Sequence, residues 1–263
     1  KIEELLYSTI RKKINNHGKV AIALSGGVDS TLISTLVRKV NPDVGIETVS
    51  VKFSNSNDET DAAKKISDTL NANQHIVLID NFLEEMPAAI GISKMPFWDI
   101  HWYYVFKKAK KLSDIIITGE GGDELFGGYT FRYEKFFNLA KSALNPVDKI
   151  KIYLKCHERD WVIDQEDIFG IKMNFSWKKI YDSFMPYFDN SLSNLKQVFL
   201  ADFNGKLLFN TLLLNSYFKN HFKMNYFTPF LTKDIISIAP HLPTNLKYDK
   251  KKKIGKVLLR NIL

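Results

Sequence analysis

Apolar residues recur along the first half of the chain with two alternating periods. Ile2, Leu5, Leu6, Ile10 and Ile14 form one stripe at helical spacing, and Asn15-Asn16-His17-Gly18 closes that helix, giving a predicted element over residues 1–17. Val20–Leu24 is then an unbroken apolar run, which reads as a strand. Leu32, Ile33, Leu36 and Val37 return to helical spacing as far as Val40, where Asn41-Pro42-Asp43 breaks it. The same cycle repeats. Glu47–Phe53 predicts a second strand, the polar stretch Ser54-Asn55-Ser56-Asn57-Asp58 predicts a cap, and Glu59–Leu70 predicts a helix. Gln74–Ile79 reads as a third strand and Phe82–Ile90 as a helix; after interruptions at Pro87 and Pro96, Trp98–Leu112 carries helical spacing. Asp114-Ile115-Ile116-Ile117-Thr118 completes the series as a fully buried strand. Strands alternating with helices at these intervals predict an α/β fold, a doubly wound parallel sheet covered on both faces. Such sheets bind ligands beyond the carboxyl ends of their strands, at the topological switch point.

From Phe131 the pattern changes. Glycine becomes rare, and long Leu-, Phe-, Lys- and Asn-rich segments, notably Leu195–Phe222, have helical periodicity. The expected organisation is an α/β core over residues 1–135 and a mostly helical region over 136–263, with a soft boundary near 130–150. In Leu195–Phe222 the aromatic stripe Phe203, Phe209, Tyr217, Phe218 and Phe222 reads as core.

Composition narrows this picture only slightly. The 263 residues are 45% hydrophobic and 13% aromatic, ample for a buried core. No apolar run approaches the ~20 residues that span a bilayer. The single cysteine, Cys156, excludes a disulfide framework and a Cys-x-x-Cys site. The expectation is a soluble, cytoplasmic protein. A net charge of +8 would attract anionic partners, but the lysine pairs fall on predicted helix faces and only Lys250–Lys253 forms a block. Charge therefore gives no argument for nucleic-acid binding.

Two stretches carry chemistry. Ser25-Gly26-Gly27-Val28-Asp29-Ser30 joins the first strand to the next helix. Paired glycines permit a sharp turn, and hydroxyls with free N–H groups at a helix start form an anion site. The spacing is not that of the lysine-bearing nucleotide P-loop, so phosphate would be held by backbone and hydroxyls, with Asp29 a hard oxygen ligand for a cation. Gly119-Glu120-Gly121-Gly122-Asp123-Glu124-Leu125-Phe126-Gly127-Gly128-Tyr129 packs three carboxylates and five glycines into eleven residues. Like charges that close need a cation to offset them. A solvent-exposed acidic turn would not emerge from an Ile-Ile-Ile strand.

Together the two motifs resemble the synthetase domain of asparagine synthetases, within the ATP pyrophosphatase (PP-loop) superfamily that also holds β-lactam, GMP and NAD synthetases. Leu242-Pro243-Thr244-Asn245-Leu246-Lys247 and Lys256-Val257-Leu258-Leu259-Arg260 are similar to that family's late pattern. The resemblance implies an adenine-nucleotide-alpha-hydrolase-like sheet, ATP and Mg²⁺ as cofactors, and a ligase that adenylates a carboxylate, releases pyrophosphate and passes the acyl group to ammonia or an amine. It implies that Ser25, Gly26, Gly27, Asp29 and Ser30 hold pyrophosphate and that Asp29 and Asp123 hold Mg²⁺. Leu24, Val51 and Gly119 would line the adenine and ribose pocket, with Thr118 among the ATP-binding residues. Glu120 would be the general base that takes a proton from the amine.

The sequence also departs from the family pattern. A glutaminase domain with a nucleophilic first cysteine usually precedes the synthetase domain, whereas this sequence starts at Lys1. Nitrogen is then expected from free ammonia, an amine, or a separate glutaminase subunit. Asn215-Ser216 stands where Asp-Arg is expected, and only the Pro-Phe-Leu core survives in Asn225–Thr232. These changes set aspartate against other carboxylates, as in β-lactam closure or peptide cyclisation. A tRNA-modifying enzyme and a nucleotide-binding protein without turnover are the readings from other classes. A basic loop bearing a catalytic lysine is expected after Leu-Leu-Arg, and the sequence stops at Leu263; Lys206 and Lys219 are candidate replacements. Arg132 could neutralise the acidic motif, and His101 reads as a packed helix residue able to face the cleft.

Overall fold

Strand β1 (Lys19–Ala23) is the axis of the sheet. In this computed structural model, which describes residues 1–54, 60–94, 101–140, 145–157, 165–169 and 173–263, β1 pairs in parallel with β2 (Gly45–Phe53) on one side and β4 (Ile115–Ile117) on the other. β3 (Asn73–Ile79) extends the sheet beyond β2, and β5 (Asn225–Phe227) extends it beyond β4, giving the all-parallel order β3-β2-β1-β4-β5. The chain winds outward from β1 through β2 to β3 and then crosses to β4. The switch point therefore lies between the carboxyl ends of β1 and β4.

Side-chain alternation explains why the central strands are apolar throughout. Val20 and Ile22 of β1, with Ile115 and Ile117 of β4, enter the core on one face; Ala21 and Ile116 enter the core on the other. The first core is closed by α1 (Ile2–Ile14), whose predicted stripe buries Ile2, Leu6, Ile10 and Ile14, and by α2 (Val28–Val40). The α3 helix (Thr60–Thr69) follows β2. The second core packs against α4 (Met86–Ser93) and α5 (His101–Ala109). The α4 helix starts later than the periodicity suggests, with Pro87 in its first turn, where a missing N–H costs nothing. The predicted cap at 55–58, Pro96, and the start of the Trp98 helix lie outside the described residues.

Beyond the short α6 (Gly122–Phe126), helices α7 (Thr130–Leu139), α8 (Pro146–Lys155), α9 (Gln165–Phe169), α10 (Trp177–Phe188) and α11 (Asn194–Ala201) make up the expected helical part. Tyr133, Phe136, Tyr153, Phe188 and Phe199 form its aromatic core. The periodic stretch up to Phe222 is three elements, with a π-helical segment, Asp202–Leu212, between α11 and α12 (Leu213–Phe222). This corrects the aromatic stripe: Phe218 is buried, but Phe209 is 69% exposed and Tyr217 37%. Wider i→i+5 turns rotate successive side chains differently from an α-helix, so one α-helical stripe does not continue through the segment.

The C-terminal region also returns to the sheet. It supplies β5, a three-residue strand too short to show periodicity, and Phe230, Ile235 and Leu259 join the core under α1. Helices α13 (Lys233–Ile238) and α14 (Thr244–Lys247), a hairpin of β6 (Tyr248–Asp249) with β7 (Ile254–Gly255), and α15 (Val257–Ile262) complete the chain.

Lys247 is buried in this region, with its ammonium 5.2 Å from the Phe199 ring and 3.4 Å from the Pro240 carbonyl. Burial, with Lys196 adding to it, pulls its pKa down to about 8 from 10.5. The unfolded chain then holds this proton more tightly than the folded one, so the group's contribution to stability rises with pH between those values. Lys247→Met is expected to stabilise the fold at pH 7 by about 1–3 kcal/mol and to flatten that rise, read from thermal melts across the alkaline range.

Candidate active site

Two strand-to-helix turns meet at the switch point. After β1, Gly26 adopts φ +80°, which a side-chain-bearing residue rarely tolerates, and swings the chain into α2. Serine hydroxyls set the loop's shape. The Ser25 N–H donates to Ser30 Oγ (3.3 Å), the Gly27 N–H donates to Ser25 Oγ (3.3 Å), and Thr31 Oγ1 donates to the Gly27 carbonyl (2.7 Å). The first-turn N–H groups of α2 have no partner within the helix, and its dipole adds positive potential there. The loop thus presents N–H groups and hydroxyls at the start of α2, the arrangement read from the sequence as a candidate anion site.

After β4, the chain passes through Thr118, Gly119 and Glu120 into α6. Gly122 is needed for close approach: a Cβ there would lie 2.4 Å from the carboxyl carbon of Asp29. The two turns thus bring Asp29 and Asp123 together, and a third element joins them. Lys256, in a left-handed conformation just before α15, places Nζ 2.6 Å from Asp29 Oδ2 and 2.8 Å from Asp123 Oδ1. Burial pushes the Asp29 carboxyl up to about 7 against the pull of Lys256, and Asp123 adds to the rise. Burial opposes charge on Lys256 too, but the two carboxylates overcome it and raise its pKa.

On the other side of α6's entry, Glu120 is held from the helical part. Asn215 Nδ2 of α12 lies 2.7 Å from both Glu120 carboxylate oxygens and 3.4 Å from the Tyr226 hydroxyl. Thr228 Oγ1 donates to the Glu120 carbonyl (2.8 Å), and the Phe230 ring packs against Phe126 at 5.6 Å. The faintly matching segment 225–231 is therefore the wall that supports the acidic turn.

The third carboxylate of the motif points elsewhere. Glu124 is buried and accepts a hydrogen bond from the Tyr129 hydroxyl (2.6 Å), which accepts one from Lys206 (2.8 Å). Burial raises the Glu124 pKa, and Tyr129 and Lys206 restrain the rise. Arg132 is buried as well, stacked 4.5 Å over the Tyr129 ring.

A cavity of about 550 Å³ opens between the turns. Of the predicted residues, Leu24, Ser25, Asp29, Ser30, Val51, Gly119, Glu120 and Asp123 line it. Gly26, Gly27 and Thr118 do not; Thr118 is fully buried behind it. His101 lines the cavity with Trp102. Lys206 serves the Glu124 chain, and Lys219 lies on the surface. Sequence reasoning missed the contact of Lys256 with the two aspartates, because its Lys-x-Leu-Leu-Arg match gives a place in a pattern but no partner. It likewise marked Asn215 as a substitution without revealing that it binds Glu120.

The chain is similar to known proteins in sequence. The chain is 29% identical over 160 residues to asparagine synthetase [glutamine-hydrolyzing] 1 of Bacillus subtilis, covering 59% of this chain and 24% of that protein. It is 29% identical over 132 residues to a putative asparagine synthetase [glutamine-hydrolyzing] 2 of Methanocaldococcus jannaschii, covering 48% of this chain and 26% of that one. The chain thus spans about a quarter of the length of these curated relatives. Among solved structures, the NH3-dependent NAD synthetase of Campylobacter jejuni overlaps 85% of this chain and 93% of its own at 22% identity and a TM-score of 0.38. The family model for asparagine synthase matches residues 1–263, taking in both glycine-acid turns and the lysine that bridges them, and the chain belongs to that family.

Proposed function

We propose that this chain is an ATP-dependent amide-forming ligase that activates a carboxylate as its adenylate and transfers the acyl group to ammonia or an amine. The observation that carries this reading is the division of one cavity into two chemistries. Asp29, Asp123 and Lys256 meet at the anion-binding loop, and Glu120 stands alongside under the grip of Asn215. In the first step a substrate carboxylate oxygen attacks the α-phosphorus of ATP, the bond to the β-phosphate bridging oxygen breaks, and pyrophosphate leaves. Negative charge grows on phosphate oxygens, where the α2 N–H groups and Lys256 can offset it. In the second step an amine nitrogen attacks the acyl carbon and AMP leaves with the bridging oxygen. Glu120 takes the proton that the nitrogen must lose.

The residues fit a Mg²⁺ ion. Asp29 and Asp123 already converge on a cation, Asp29 Oδ1 is buried with no hydrogen-bond partner, and both are hard oxygen donors. Two carboxylates leave the remaining positions to water and phosphate, the usual Mg²⁺ arrangement at a nucleotide. When bound, the ion would neutralise the phosphates and orient them for in-line displacement. Lys256 would then hold phosphate oxygens rather than carboxylates.

Aspartate with ammonia, supplied free or by a glutaminase partner, is the nearest named reaction in the family. Asn215 and the aromatic wall of His101 and Trp102 favour a second reading, a different carboxylate or amine at the same chemistry.

Pyrophosphate release with Mg²⁺-ATP and a panel of carboxylic acids tests the proposal. One acid is expected to elicit AMP and pyrophosphate, and Asp29→Ala is expected to abolish the release. Glu120→Gln is expected to keep pyrophosphate release while amide formation falls by about 10²–10⁴-fold. Silence across the panel, or unchanged turnover in both variants, would sink the mechanism. The Asn215 contact gives a separate prediction. Asn215→Asp sets two carboxylates against each other, so the proton they share should move the basic group's limb of the pH–rate profile upward by about one unit or more. An unmoved limb would mean that Glu120 is not the base.

A further inference from the structure

Among the described residues, β3 is an outermost strand of the sheet and pairs with β2 alone. The Ile79 carbonyl accepts from the Ser54 N–H (3.2 Å) and the Asn73 carbonyl faces Thr48 of β2, so the odd-numbered residues turn their backbone groups inward. Backbone groups alternate along a strand, so Gln74, Ile76, Leu78 and Asp80 present theirs outward. Ile76 is 48% exposed and Leu78 57%, and Phe82 and Leu83 lie exposed just beyond. Natural edges are usually shielded by lysine, proline or a bulge. In a chain with 37 Lys and Arg residues, 73–83 contains no Lys, Arg or Pro.

We propose that β3 pairs antiparallel with the β3 of a second copy of this chain, about a two-fold axis at Val77, joining two sheets into one. The strand is self-complementary in that register. Ile76 faces the second copy's Leu78 and Leu78 faces its Ile76, so the exposed apolar pair is covered symmetrically. Gln74, whose amide donates to the Thr60 carbonyl of its own chain (3.1 Å), faces the second copy's Asp80, which accepts from Ser54, so no like charges meet at either end. His75 points its ring to Glu47 of β2 (2.6 Å) and leaves the seam clear. The same register satisfies the backbone. The outward-facing residues fall opposite one another as hydrogen-bonded pairs, and Val77 meets its mate as a non-hydrogen-bonded pair with Cα atoms about 4.5 Å apart. An interface of one strand per copy is smaller than the standard ~800 Å² per partner, so association is concentration dependent.

Sedimentation velocity over a concentration series reads the equilibrium. The wild-type chain is expected to shift from monomer to dimer as concentration rises. Ile76→Lys with Leu78→Lys, both at exposed positions, should weaken dimerisation by more than about tenfold while leaving the melting temperature unchanged. Register is tested by oxidation, since the native Cys156 is buried. Val77→Cys should form a covalent dimer, its mate lying within disulfide reach. Gln74→Cys, some 20 Å from its own mate along the strand, should not. A wild-type chain that stays monomeric throughout, a dimer that survives the lysine pair, or equal cross-linking at 74 and 77 would each overturn the proposal.

Discussion

The arrangement of the site depends on the cluster of Asp29, Asp123 and Lys256. Bringing two carboxylates together at the ends of adjacent strands is costly by itself, because each loses water and each repels the other. Lys256 resolves that conflict, and the magnitudes show how much rests on it. Removing one partner of a buried pair generally costs about 3–5 kcal/mol, because a charge is left without compensation. Exposed pairs such as Lys178 with Asp182 are worth about 0–1 kcal/mol. This contact fastens the last helix of the described chain to the first glycine turn.

Glu120 shows the same logic with a neutral partner. Asn215 offers a donor to both carboxylate oxygens without contributing a charge of its own. Its helix leads into β5, whose Tyr226 and the following Thr228 reach the same turn. The C-terminal region therefore does more than cover the sheet. It aims the acid on which the amine-handling step is proposed to depend, while Lys256 joins the two aspartates. The two functions approach one cavity from different segments of that region.

Much of this was legible in the amino-acid sequence, for identifiable reasons. Strands β1 to β4 and helices α1 and α2 announce themselves because the central strands are buried on both faces and periodicity is strong. The glycine-acid turns are visible because few other arrangements tolerate their composition. Three features were not legible. The fifth strand has three residues and no pattern of its own. The π-helical segment follows a period that an α-helical stripe misreads, so Phe209 and Tyr217 were expected inside. The partners of Asp29 and Glu120 lie far along the chain, and no local signal couples Lys256 or Asn215 to them.

That sequence distance has a consequence for how the molecule is made. Lys256 meets Asp29 across 227 positions, and Asn215 meets Glu120 across 95. Contacts so far apart must close large loops before they contribute anything, and they form late in folding. A chain emerging N-terminus first can pair β1 with β2 and β3 early, yet it holds two acids at an apolar switch point with no cation between them. The cleft between the two turns is thus the final part of the molecule to mature, and a ribosome-bound fragment lacking its last helix would have the sheet but not a settled site.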